Sequence, residues 1–176
     1  MLRDYLWGPL TRFGVVAALI VGAIDQASKL WLMHVFDLAR VAFGRPYELT
    51  SFLALTLNWN PGISYGLFPQ QSDLGRYVLL GLTLIALAVL WAWLARAESR
   101  LTALAVGLII GGAVGNVIDR LYLPGVMDFV WFHVDSINFS WYVFYLADAA
   151  IVAGVIGLLY ESMFGGTPQK RPDPPE

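Results

Sequence analysis

Leu101 to Arg120 reads LTALAVGLIIGGAVGNVIDR, and this stretch decides the fold. From Leu101 to Ile118 there is no charge, and then Asp119 and Arg120 arrive together. A helix needs about 20 mostly apolar residues to cross the hydrocarbon of a bilayer, so the run predicts a membrane span closed by a polar pair. Within it Gly107, Gly111 and Gly115 recur at every fourth position. Small residues at that spacing let a neighbouring helix approach closely, and we read the stripe as a packing surface.

Three more runs have the same character, at about Phe13 to His34, Tyr77 to Ala95 and Trp141 to Tyr160. The 176-residue chain is 58% hydrophobic and only 14% charged, with a mean hydropathy of +0.63. Soluble domains run nearer half apolar and about a quarter charged, so the whole chain predicts a small membrane unit of four spans. Arg3 and Arg12 ahead of the first run imitate a signal peptide, but Asp25, Gln26 and Lys29 stand where a small-residue cleavage site belongs. The run is therefore read as a retained span. Trp31, Tyr77, Trp91, Trp93, Trp141 and Tyr160 fall near the run ends, where amphipathic rings prefer the interface.

Composition also excludes several chemistries. A net charge of -2 and a pI near 5.6 give no basic field for nucleic acid. The absence of cysteine removes disulfides, thiolate metal sites and a thiol nucleophile. His34 and His133 are isolated, so no metal site is expected. For orientation, Arg3, Arg12, Arg96, Arg100, Lys170 and Arg171 lie on one side, against Arg40, Arg45, Arg76 and Arg120 on the other. The bias places both termini in the cytoplasm and turns Phe36 to Arg76 and Asp119 to Ser140 outward. In the first outer loop Leu49, Leu53, Leu55 and Leu57 occupy alternate positions, which predicts a strand or hairpin whose apolar face could lie on the membrane. The proline-rich segment 165–176 reads as a disordered tail.

Ionisable groups in or beside spans are costly and rare, which makes each a functional candidate. Asp25 sits twelve residues past Phe13, about 18 Å along a helix. Asp119, Arg120, Asp128 and Asp148 join it toward the outer leaflet, with Asp148 placed about 10 Å down the fourth span. Asp25 and Lys29 are four apart and can equally form an internal ion pair. Asp119 with Arg120 can equally be an interfacial anchor, and Asp128 alone reads as a surface acid. Asp148 has no basic residue within a turn, so a remote partner or a function must offset its burial. Two carboxylates that share a proton can activate water with one group and protonate a leaving amine with the other. The census selects Asp148 with either Asp128 or Asp119.

Five segments in order carry a resemblance: Asp25-Gln-Ala-Ser-Lys29, Asn60-Pro-Gly-Ile-Ser-Tyr-Gly66, Gly111-Gly-Ala-Val-Gly-Asn-Val-Ile-Asp-Arg120, Val126-Met-Asp-Phe-Val-Trp-Phe132 and Phe144-Tyr-Leu-Ala-Asp-Ala-Ala-Ile151. Together they resemble bacterial lipoprotein signal peptidase, signal peptidase II, over about Gly14 to Gly157. The resemblance implies an aspartic peptidase of the cytoplasmic membrane that removes signal peptides from diacylglyceryl-modified prolipoproteins, on the N-terminal side of the lipidated cysteine. It implies Asp128 and Asp148 as the catalytic pair. Asp25, Lys29, Asn60, Gly62, Asn116, Asp119 and Arg120 match positions that line or support the pocket. It further implies an all-α membrane fold of four transmembrane helices with a small extracytoplasmic β-cradle in the first outer loop, within one domain spanning 1–164. No cofactor is implied; membrane lipid and a globomycin-type inhibitor are, and the chain is expected to act as a monomer.

Two positions depart from the pattern, of which Tyr65, where Phe is common, is a conservative change. Tyr145 stands where the family usually has Asn, and it is bulkier and offers a single hydroxyl. Two alternatives follow: a homologue that binds lipoproteins with altered catalysis, and a proton-coupled transporter using Asp25 and Asp148 as a relay. The transporter leaves Asn60-Pro-Gly and Asp128 without a use.

Overall fold

The computed structural model of the chain describes residues 6–60 and 73–165. In chain order its elements are α1 (Thr11–His34), the short α2 (Leu38–Val41), β1 (Tyr47–Thr50), β2 (Leu53–Asn60), α3 (Asp73–Ala95), α4 (Arg100–Tyr122), β3 (Val126–Val134), β4 (Phe139–Ser140) and α5 (Leu146–Phe164). A 3-10 turn, Asp135–Ile137, joins β3 to β4. Four of the helices, α1, α3, α4 and α5, are long and apolar enough to cross a membrane.

Helix α4 is the axis of the bundle. Its apolar window is 56% buried, whereas those of the other three are 17 to 22% buried. The glycine stripe explains this. A Cβ on Gly107 would lie 2.4 Å from the carbonyl oxygen of Gly14, and one on Gly111 would lie 2.6 Å from that of Ala18, both on α1. On the opposite side Gly154 of α5 brings that helix equally close to Ala105. With the small residues turned inward, Leu19, Ile20 and Ile24 of α1, Leu82 and Ile85 of α3, and Val152 and Leu159 of α5 remain exposed, as lipid-facing side chains do.

One end of the bundle carries an antiparallel sheet in the order β1-β2-β3-β4. This departs from the expectation of an all-α chain with a cradle in the first loop alone, because β3 and β4 come from the segment between α4 and α5. The leucine alternation did mark β2, but its apolar face turns inward. Leu55, Leu57 and Trp59 pack on a core of Leu32, Leu38, Met127, Phe129 and Tyr145. Between Leu55 and Asn58 the pairing with β3 slips, so that two residues of β2, Thr56 and Leu57, stand opposite the single Phe129 of β3. Such a bulge bends its strand and re-aims the side chains beyond it.

Of the span boundaries that move, two bear on the polar residues. Helix α4 continues to Tyr122, so Asp119 and Arg120 lie in its last turns. Helix α5 begins at Leu146 rather than Trp141, which makes Asp148 its third residue rather than one about 10 Å along it. The cause is local. Phe144 exchanges two backbone hydrogen bonds of 2.9 Å with Val130, and Trp141 donates its N–H to the Phe132 carbonyl at 2.8 Å. Apolar side chains alone do not separate a span from an extended segment held to a strand.

Candidate active site

Asp128 lies on β3 and is 1% exposed. Its Oδ2 accepts a hydrogen bond of 3.3 Å from Asn60 Nδ2, at the end of the re-aimed strand β2. Its Oδ1 is buried with no hydrogen-bond donor among the described residues. Burial, and next the charge of Asp148, push the Asp128 carboxyl up from its ordinary 3.8 to about 7, against opposing pulls from the Asn60 bond and the Lys29 charge.

Asp148 is half-buried in the first turn of α5. Its Oδ2 accepts from the Tyr145 backbone N–H at 3.3 Å, and its Oδ1 accepts from Asn116 Nδ2 of α4 at 3.4 Å. A carboxylate in the first turn of a helix also meets the positive end of the helix dipole. The Val130 to Phe144 bridge brings β3 and the start of α5 side by side, so that Asp128 lies in the field of the Asp148 charge. Both line one cavity of about 390 Å³, whose remaining wall is largely apolar: Trp141, Val143 and Phe144 ahead of α5, then Ile151, Val152 and Ile156 along it.

The other polar candidates assemble behind this pair. Lys29 Nζ lies 2.8 Å from Asp25 Oδ2 and 2.7 Å from Asp119 Oδ2, and all three side chains are buried. The Asp25–Lys29 ion pair is therefore real, but it extends to Asp119, whose carboxylate is buried against Lys29 and lies neither on the cavity wall nor at the surface. Gln26 Nε2 bridges the two carboxylates, 3.1 Å from Asp25 Oδ2 and 3.1 Å from Asp119 Oδ1. Gln26 was not singled out from sequence, although a neutral amide beside Asp25 inside an apolar span is itself a signal. Arg120 lies in the field of Asp148, Asp119 and Asp128 and donates to the Asn116 carbonyl at 3.3 Å. Arg76 of α3 holds the end of α4 through the carbonyls of Arg120, at 2.5 Å, and Leu121, at 2.9 Å.

Tyr145, which departs from the family motif, turns its ring into the core. Its side chain is 8% exposed and packs edge-on against Phe129, with ring centroids 5.0 Å apart, and Lys29 Nζ lies 5.6 Å from the ring centre. It is absent from the cavity wall and reaches Asp148 through its backbone. Gly62, the rest of its motif at 61–66, and the tail at 166–176 lie outside the described residues. Among the described residues no group of three or more His, Asp or Glu side chains is placed to hold a metal ion.

Comparison with known proteins places this arrangement in a family. Two solved structures, each described as a bacterial membrane enzyme determined in meso, superpose with TM-scores of 0.72 and 0.67 at 22% and 23% identity. The first covers 90% of this chain and 93% of its own, the second 88% and 94%, and both share the fold. The lipoprotein signal peptidase of Beijerinckia indica is 54% identical over 149 residues, 85% of this chain and 86% of the relative. Those of Rhodopseudomonas palustris strain TIE-1 and Nitrobacter hamburgensis are 46% and 49% identical over 163 residues, 92% of this chain and 98% of each relative. The family model described as signal peptidase (SPase) II matches residues 17–164, which takes in most of α1, the other three long helices, both acids of the cavity and the ion cluster behind them, and on that match the chain belongs to the signal peptidase II family.

Proposed function

We propose that this chain is a multi-pass peptidase of the bacterial inner membrane that cleaves diacylglyceryl-modified prolipoproteins on the N-terminal side of the lipidated cysteine, with Asp128 and Asp148 as an aspartate pair. The observation that carries this reading is the convergence of the two carboxyls on one cavity whose remaining wall is largely apolar. A substrate anchored by acyl chains presents its scissile bond at the depth of the membrane surface, and an apolar wall along α5 suits the flanking signal segment.

The chemistry follows from the geometry. Asp128, pushed up to about 7, holds the shared proton near neutral pH and directs it toward the scissile carbonyl oxygen. Asp148, held by two donors, takes a proton from water as the hydroxide adds to the carbonyl carbon. The resulting tetrahedral diol collapses as the Asp148 proton passes to the departing amine, and the proton gained from Asp128 returns to it. The products are a free signal-peptide carboxylate and a new N-terminal amine on the lipidated cysteine. Asn60 and Asn116 orient one carboxyl each, and Arg120 supplies compensating positive charge. Tyr145 is compatible with this role, since its ring points into the core and only its backbone meets Asp148.

In this reading both termini face the cytoplasm, the sheet faces outward, the tail after residue 164 plays no part in catalysis, and the monomer is the working unit. A globomycin-type cyclic peptide would compete for the same cavity. The deciding experiment is a gel-shift assay of purified protein in detergent with a diacylglyceryl-modified prolipoprotein. We expect the parent to cleave, and Asp128→Asn and Asp148→Asn each to lose at least about a thousandfold in rate, since members of a catalytic unit fail singly. Substantial cleavage by either variant would refute the pair.

A further inference from the structure

We propose that the buried Asp25–Lys29–Asp119 cluster is a yoke that sets the separation of Asp128 and Asp148, with Lys29 as a positioning residue; this rests on the aspartate-pair reading above. The observation is that the two carboxylates clasped by Lys29 each hold the backbone amide immediately before one catalytic acid. Asp119 Oδ2 accepts from Met127 N–H at 3.0 Å, and Asp25 Oδ1 accepts from Ala147 N–H at 3.1 Å. Lys29 Nζ, at 2.7 and 2.8 Å, ties those carboxylates to each other.

Each link has a local reason. Ala147 is the second residue of α5, whose first amides have no partner inside the helix. Tyr145, in the capping position, has no side-chain oxygen bonded there, so the cap is supplied from α1 by Asp25. On the other side, Met127 is fixed by the last turns of α4. One residue further along each chain stand Asp148 and Asp128. The catalytic pair is thus hung from two amides that converge on a single ammonium group.

A purely structural role explains the cluster less well. Close contact of α1 with α4 is already secured by Gly107 against Gly14 and Gly111 against Ala18. Apolar side chains can replace a buried ion cluster without loss of stability in many folds, because desolvation offsets the attraction. What apolar side chains cannot do is accept two amide hydrogen bonds at a defined spacing. Every carboxylate oxygen of the cluster has a donor, so its geometry is strongly determined.

The test measures kcat and KM against pH for the full-length chain in detergent with a diacylglyceryl-modified prolipoprotein. Lys29→Met leaves two carboxylates facing each other without the bridging charge. We expect kcat to fall about 100-fold, the cost typical of an error near 1 Å in placement, with little change in KM. The upper limb of the pH profile should also move to higher pH, because the Lys29 charge that opposes protonation of Asp128 is gone. Asp25→Asn keeps an oxygen for the Ala147 amide and should stay within about tenfold of the parent, whereas Asp25→Ala removes it and should follow Lys29→Met.

Parent-like kcat in Lys29→Met or Asp25→Ala, a fall in kcat with unmoved pH limbs, or equal losses in Asp25→Asn and Asp25→Ala would each overturn the yoke. Should Lys29→Met fail to accumulate in the membrane, the Asn and Ala pair at Asp25 decides the matter alone. Failure of the catalytic reading is a separate result, seen as cleavage that survives Asp128→Asn.

Discussion

Asp128 concentrates the conflict between stability and chemistry at a single residue. A carboxyl that is 1% exposed, with one oxygen lacking a donor among the described residues and a second carboxyl as its neighbour, is an arrangement that folding alone does not favour. Its folded value of about 7 lies above the ordinary 3.8. The native state therefore keeps a proton that the unfolded chain releases, and the group's contribution to stability is complete below the ordinary 3.8 and is lost as the pH rises through the folded value. Asp128→Asn should accordingly melt at a higher temperature than the parent. The gap should widen from pH 4 to 7 and level off above, reaching an order of a few kcal/mol. Thermal unfolding in detergent across that range checks this, and a gap independent of pH would contradict the burial of an ionising carboxyl. At this scale the sequence was legible where cost is visible: Asp25, Lys29, Asp119 and Asp148 stand out because charge inside an apolar run demands a reason. Asp128 did not stand out on those grounds, since a loop acid beside a span is ordinarily solvated, and its place came from the family motif.

His133 raises a different question at the scale of elements, because it joins β3 to two others. Its Nε2 lies 3.1 Å from Glu48 Oε2 on β1, and its Nδ1 lies 3.0 Å from Asp135 Oδ1 in the following turn. A neutral imidazole has one N–H, so donating to both carboxylates requires the charged ring. The Asp135 bond first, and then those with Glu48, hold the ring above its ordinary value. Trp131 stacks on it at 4.3 Å. The stabilisation is fully present below about pH 6.5 and is lost as the pH rises through the raised folded value. Melting of the parent should therefore exceed that of His133→Gln by more at pH 5.5 than at pH 8.5, and an equal difference at both would show that the charged ring is not the pin. Elements were legible unevenly. The four apolar helices and β2 were read from period and composition, whereas β3 was taken as loop and the first residues of α5 were misjudged. Both errors have one cause: Trp141 to Tyr145 are apolar enough for a span, and only pairing with β3 makes them extended.

For the whole molecule, the sheet, the two acids and the ends of α1 and α4 gather at one end, with the α3 to α4 turn at the other. The proposed topology, drawn from charge bias along the chain, puts the sheet outside. Because the chain has no cysteine, single introduced thiols report the orientation directly. Ser136→Cys, in the exposed turn after β3, should react with an impermeant maleimide in intact cells. Glu98→Cys, exposed ahead of α4, should react only after the inner membrane is opened. The reverse pattern would invert the proposed topology.

Some of this protein is written in one dimension. The density of apolar residues determines four spans, because the thickness of the bilayer is a length that residue number measures directly. Glycines at every fourth position determine a close helix contact, and the ordered motifs determine the family. Other features exist only in three dimensions. Lys29 and Asp119 are 90 positions apart, and Asp25 and Ala147 are 122 apart. Spacing along a chain carries no distance between helices, so the census left Asp119 and Asp128 as equal partners for Asp148. The family motif named Asp128, and the tertiary structure supplies the physical reason: the bulge in β2 and the bridge from Val130 to Phe144 bring Asp128 beside Asp148, while Lys29 claims Asp119 from behind.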